Sequence, residues 1–257
     1  RLVGSEMCIR DRSLSTRSLS HGGIFVKIAV ISDIHSNIYA LINVLEDIDS
    51  EKVNSVICLG DLVGYGPHPN ETISMIRRRN ILCIKGNYDN SVTDNEFSYI
   101  RETAINRFSL PWTVNELRAE NKSYLKGLPS SLTIKAGDKN LLFVHGSPSS
   151  INEYLFIDSE NTVENLNKIK EDALICAHTH LPGIKEINNK TYINVGSVGK
   201  PKIGRPNSTY CIIEITEENT ISAKFKEISY EVKKIVKDMT MLNFPPTLIQ
   251  SFETGNE

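Results

Sequence analysis

The sequence predicts an α/β protein arranged as a four-layer α-β-β-α sandwich, two mixed sheets face to face with helices outside. Three observations predict it: a βαβαβ opening, apolar runs too continuous for strands with a wet face, and hairpins gathered in the C-terminal half. "KIAVIS", residues 27–32, is rich in β-branched residues and lacks polar alternation, as a strand covered on both faces requires. "NIYALINVLEDIDS" follows, with Ile38, Leu41, Ile42, Leu45 and Ile48 at helical spacing. "SVICLG" and "ILCIKG" read as two further buried strands around the helical "PNETISMIRRRN", whose terminal arginines suit the negative end of a helix dipole. Parallel strands joined by right-handed crossovers result.

Residues 92–128 are polar with helical character and carry the single tryptophan, Trp112. "SLTIKAGDKNLLFVHG" reads as a hairpin turning at "GDKN", "ALICAH" as another buried strand, and "GIKEINNKTYINVGS" as a second hairpin. A third joins "STYCIIEIT" to "TISAKFKEIS", and "EVKKIVKDMTML" is the last helix expected. Pro245 and Pro246 then end regular structure, so residues 243–257 are expected as a disordered tail. At the other end residues 1–25 are rich in Ser and Arg, without periodicity or an apolar stretch fit for a secretory signal. They are expected to be an extraneous or disordered leader, leaving one domain over 26–242.

Composition excludes several classes. A formal net charge of −2 offers no broad basic field, so stable nucleic-acid binding is not expected. No run of about 18 apolar residues marks a membrane span. Five cysteines, an odd number, with Cys58, Cys83 and Cys176 inside apolar runs, argue against a disulfide framework and for a reducing cytoplasm. Oligomeric state is left open, a homo-oligomer included.

Chemistry-bearing residues follow nearly every strand. Asp33 and His35 come after the first, two apart and so on one side if the chain stays extended. Asp61 follows the second, Asn87 the third, His145 "LLFV", and His178 and His180 "LICA". Ligands bind beyond the carboxyl ends of strands in open α/β sheets. Taken singly, each residue also fits a turn, a helix cap or a satisfied structural histidine. Seven oxygen or nitrogen donors in this order point to a metal centre instead. A mixed carboxylate, imidazole and amide set suits transition metals (Mn²⁺, Fe²⁺/Fe³⁺, Zn²⁺ or Ni²⁺) better than Ca²⁺.

The order D-x-H, G-D, G-N-x-D, H-G, H-x-H stands here as Asp33-Ile34-His35, Gly60-Asp61, Gly86-Asn87-Tyr88-Asp89, His145-Gly146 and His178-Thr179-His180. In this the chain resembles the calcineurin-like metallophosphoesterases, over residues 27 to about 215. "GYGPHPNE" and "NVGSVGKPKIGRP" look like segments of the bacterial small-phosphoesterase branch. The resemblance implies two metal ions, one on Asp33, His35 and His180, the other on Asn87, His145 and His178, with Asp61 bridging. Two ions about 3.5–4 Å apart activate a bridging water and clamp phosphoryl oxygens during in-line displacement. Asp89 is expected to orient a ligand, with a plain turn cap as the alternative. The implied substrate is a small phosphate ester. Alternatives are a phosphomonoesterase, a protein serine/threonine phosphatase, or a non-catalytic scaffold, which would be expected to lose the histidines this chain keeps.

Two residues depart from the family pattern. Ala177 replaces the glycine often found before H-x-H, a minor change. Tyr88 stands where many members have a histidine that protonates the leaving oxygen. Tyrosine titrates near 10 and histidine near 6.5, so this position favours diesters or esters with acidic leaving groups. Tyr88 then reads as either a pocket wall or a catalytic group, and His68 in "GYGPHPNE" as either an exposed loop residue or a replacement acid. Gly196, Ser197 and Gly199 fit either a tight turn or close backbone approach to the site. Lys200, Lys202 and Arg205 fit either a solvated loop or a greeting for an anionic substrate. Deleting residues 1–25 should leave melting temperature and activity unchanged; a drop of several degrees by calorimetry would show that the leader packs on the domain.

Overall fold

A computed structural model describes residues 24–256. Most of the expected leader lies outside the described residues. Strand β1 runs Ile24–Ile31 and pairs Ile24 with Thr216, so the domain begins two residues earlier than expected. The first sheet has the order β10-β9-β1-β2-β3. Here β2 is Ser55–Cys58, β3 Leu82–Cys83, β9 Ser208–Thr216 and β10 Ile221–Ile228. β1, β2 and β3 are parallel, and β9 runs antiparallel between β1 and β10. The second sheet orders β4 (Ser131–Ala136), β5 (Lys139–Val144), β6 (Ala173–Cys176), β8 (Lys190–Asn194) and β7 (Gly183–Ile187). Its β5, β6 and β8 are parallel, flanked by antiparallel β4 and β7.

Alternation along the strands builds the layers. Ile28 and Val30 of β1 face Phe143, Ile175 and Ile193 of the second sheet. Ala29 and Ile31 face the other way, onto Leu41, Val44 and Leu45 of α1 (Ile38–Ser50) and Ile73 and Ile76 of α2 (Pro69–Arg78). Behind the second sheet, Leu174, Cys176 and Tyr192 pack on Leu166 of α6 (Glu160–Lys168). The result is the expected four-layer sandwich. The polar middle forms α3 (Asn87–Asp94), α4 (Ala104–Glu116) and α5 (Ala119–Lys126). Among the described residues no helix is long and apolar enough to cross a membrane.

The expectation of a disordered tail is corrected. After α7 (Val232–Met241), the chain forms α8 over Pro246–Thr254, with Pro246 at a helix start, where its missing N–H costs nothing. Ile235, Met239, Phe244, Leu248 and Phe252 make a separate buried cluster on which Tyr39, Phe108 and Trp112 pack. Phe252 is 2% exposed. Phe252→Ala should therefore cost about 3–5 kcal/mol of stability in denaturant unfolding. Deleting residues 243–257 should red-shift Trp112 fluorescence, because Trp112 packs edge-on against Phe244 at 4.7 Å.

Candidate metal and active site

Both sheets deliver their chemistry at the carboxyl ends of their parallel strands. The turns that do so are left-handed: φ is 51° at Asp33, 48° at His35, 52° at Asp61, 65° at His178 and 61° at His180. Asp33 and His35 therefore do not share a side by virtue of an extended chain, as the spacing suggested. The chain coils there, at a cost on the order of 1–3 kcal/mol per residue. Backbone bonds from Asp33 N to Gly60 O (3.0 Å) and His35 N to Asp61 O (3.0 Å) zip the two turns together. Close approach is required as well: a Cβ on Gly86 would lie 2.1 Å from Asp61 Oδ1, and one on Gly199 would lie 1.7 Å from Ile34 O. Gly199 makes such an approach, to the turn between Asp33 and His35, whereas Gly196, at φ 79°, sits in a left-handed turn against Thr209, so each reading of the segment holds for one glycine.

Six of the seven residues spend one polar atom on an anchor and turn another inward. His35 Nδ1 is 3.0 Å from Val63 O, His145 Nδ1 is 2.8 Å from Leu59 O, and His180 Nδ1 bonds Lys200 O. Each Nδ1 is thereby the donor, which leaves Nε2 with its lone pair facing inward. Asp61 Oδ1 accepts from Tyr88 N at 2.8 Å, and Asp33 Oδ2 from His178 N at 3.3 Å. Asn87 Nδ2 donates to Tyr99 O at 3.2 Å, so its Oδ1 turns toward His145 Nε2, 3.0 Å away.

Acceptors consequently face acceptors. His35 Nε2 and His180 Nε2 stand 3.3 Å apart. Asp33 Oδ1, Asp61 Oδ2 and His178 Nε2 are buried without a hydrogen-bond partner. Such a constellation fits cations. Two groups could hold a metal ion, Asp33-His35-His180 and Asp61-His145-His178. Asp61 Oδ2 lies 3.8 Å from His35 Nε2 and 3.3 Å from His145 Nε2, reaching toward both groups. Burial works to raise the Asp33 and Asp61 carboxyls, yet His180 and His145 hold them below the ordinary carboxylate value. Burial works to lower His145, but the Asp61 carboxylate overrides it and raises the imidazole to about 10, so at neutral pH a proton competes with a metal ion for Nε2. Burial and the His145 charge push His178 down to about 3.

Asp89 touches neither group. Its oxygens accept from Leu62 N (2.9 Å) and Gly86 N (3.0 Å), joining the turn after Asp61 to the start of α3. Burial and the Asp61 charge raise its carboxyl to about 7. His68 is not brought into the site. It precedes α2 and pairs with Asp238 at 3.0 Å, so its reading as a replacement acid is corrected. Arg205 is likewise elsewhere, ion-paired with Glu227. Tyr88 does enter, lining a cavity of about 610 Å³ with Tyr65, Asn106, Lys200 and Lys202. Tyr65, Asn106 and Tyr154, which stacks on His178 at 4.1 Å, were not foreseen from the sequence.

The calcineurin-like phosphoesterase superfamily domain matches residues 26–218. The chain belongs to that superfamily. An uncharacterised protein of Methanocaldococcus jannaschii is 33% identical over 239 residues, covering 86% of this chain and 95% of its own. The crystal structure of a metallophosphoesterase from Sphaerobacter thermophilus superposes with a TM-score of 0.73 at 27% identity, over 90% of this chain and 99% of that one. A Pyrococcus horikoshii OT3 protein, at 23% identity and a TM-score of 0.82 over 90% of this chain and 99% of its own, shares the fold. Phosphoric ester hydrolysis with a metal centre is what the family brings. Gly86→Ala should displace Asp61 and lower the metal bound per chain, read by elemental analysis, with a loss of about 1–3 kcal/mol in stability from overpacking.

Proposed function

We propose that this protein is a dinuclear metal-dependent phosphoesterase that prefers phosphodiesters or activated phosphate esters. Asp33, His35 and His180 would hold one transition-metal ion and Asn87, His145 and His178 the other, with Asp61 within reach of both groups. The bound pair supplies Lewis acidity toward the phosphoryl oxygens and lowers the pKa of the attacking water. Buried Asp89 locks the Asp61 and Asn87 loops to one another and so positions both. The four described cysteines are free and buried, in keeping with a reducing cytoplasm as the working compartment.

One observation carries the substrate preference. Asn106 Nδ2 donates to Arg101 O at 2.8 Å, so Asn106 Oδ1 is the acceptor toward Tyr88 Oη, 2.8 Å away. The Tyr88 proton has its acceptors inside the protein, Asn106 Oδ1 and the Tyr65 hydroxyl. Burial raises the Tyr88 phenol well above 10. The side chain in the acid position therefore offers no proton to a leaving oxygen at neutral pH. Among the described residues lining the cavity, the only histidines are His178 and His180. An alkoxide leaving from a monoester would lose the about 10²–10⁴-fold that general acid catalysis supplies. An acidic leaving group loses much less.

The metal-loaded enzyme should turn over an aryl phosphodiester much faster than an alkyl monoester. Asp61→Ala should lose both ions and hydrolysis together. Tyr88→Phe should alter diester hydrolysis by less than about tenfold, or 1.4 kcal/mol, whereas Tyr88→His should raise monoester hydrolysis selectively. A large Phe defect without gain from His would show that the Tyr88 hydroxyl acts on substrate.

A further inference from the structure

Residues 99–101 are an irregular segment between α3 and α4, tied at both ends to the site. Asn87, through Nδ2, holds Tyr99 O at 3.2 Å, and Asn106, through Nδ2, holds Arg101 O at 2.8 Å. Between them Ile100 is buried at 9% exposure in the core beneath. This clamping is unlike a free loop. It presents two side chains to the cavity, the Tyr99 ring, 41% exposed, and the exposed Arg101 guanidinium. Among the described residues neither the ring nor the guanidinium has a partner. Their backbone is thus fixed at the cavity, while the side chains have nothing in the protein to bind.

Lys200 and Lys202 line the same cavity, and Lys200 Nζ sits 5.0 Å over the Tyr65 ring. With Arg101 these lysines place three cationic side chains along the cavity lining. Aromatic faces and guanidinium forks are the groups that read flat heterocycles and phosphate oxygens. A volume of about 610 Å³ accommodates a mononucleotide-sized ligand.

Building on the phosphoesterase reading, we propose that the Tyr99–Arg101 segment is the substrate-reading element and that its ester is a nucleotide carrying a second phosphate. Tyr99 stacks on the base, and Arg101 holds the phosphate that is not attacked. Tyr99 and Arg101 here are specificity residues; the reacting phosphoryl group lies with the metal ligands.

Calorimetric titration of the metal-loaded protein with inorganic phosphate, ribose 5-phosphate, AMP and ADP tests this. Base stacking predicts that AMP binds at least about fivefold tighter than ribose 5-phosphate, and ADP should bind tighter again. In Tyr99→Ala the AMP to ribose 5-phosphate ratio should collapse to one, with Tyr99→Phe restoring it. In Arg101→Gln the advantage of ADP over AMP should disappear. Equal binding of all four ligands, or ratios unmoved by these variants, would overturn the proposal while leaving the phosphoesterase reading intact. Failure of even inorganic phosphate to bind would overturn that reading and this inference with it.

Discussion

Everything in this molecule is arranged around an electrostatic problem: acceptor atoms brought together where water cannot separate them. His35 Nε2 faces His180 Nε2 at 3.3 Å, and two buried carboxylate oxygens point at the same place. Left to themselves these groups would repel, since unpaired buried acceptors cost on the order of 1–3 kcal/mol each. What prevents relaxation is that each side chain is held from behind by a backbone group it cannot easily leave. A protein that binds no cation there would have no reason to keep such an assembly.

The backbone bears the corresponding strain. Five of the seven donors sit in left-handed turns, a conformation that L-residues avoid. Neighbouring turns sustain it by exchanging backbone hydrogen bonds, and glycines at positions 86 and 199 let the segments touch. Parallel strands alone would place the donors near one another. Their convergence on two points comes from these turns.

The βαβαβ opening, the three hairpins and the gathering of seven strand-end side chains in one place were legible in the sequence, because burial on both faces and strand-end placement leave marks in residue order. α6 left almost none: Thr162 and Asn165 share its buried face with Leu166, so no apolar stripe marks it. The C-terminal helix was obscured by Pro245 and Pro246, which look like terminators and in fact initiate α8. His68 misled for another reason. Its pairing with Asp238 joins residues far apart in the chain, and no local spacing encodes such a contact. The Tyr65-Tyr88-Asn106 chain escaped notice on the same ground.

Strand β1 lies in the middle of its sheet, between β2, which follows soon after, and β9, which comes only after all five strands of the other sheet. During synthesis the first strand therefore waits with one hydrogen-bonding edge open until the second sheet has been made and β9 has left the ribosome. Closing so distant a pair is slow, and an open apolar edge invites wrong partners meanwhile. The same topology leaves the active centre divided, with Asp33, His35, Asp61 and Asn87 following strands of one sheet and the remaining histidines following strands of the other. Nascent fragments can neither close the sheet nor bring the seven candidate donors together, so the site assembles only once strands of both sheets are in place.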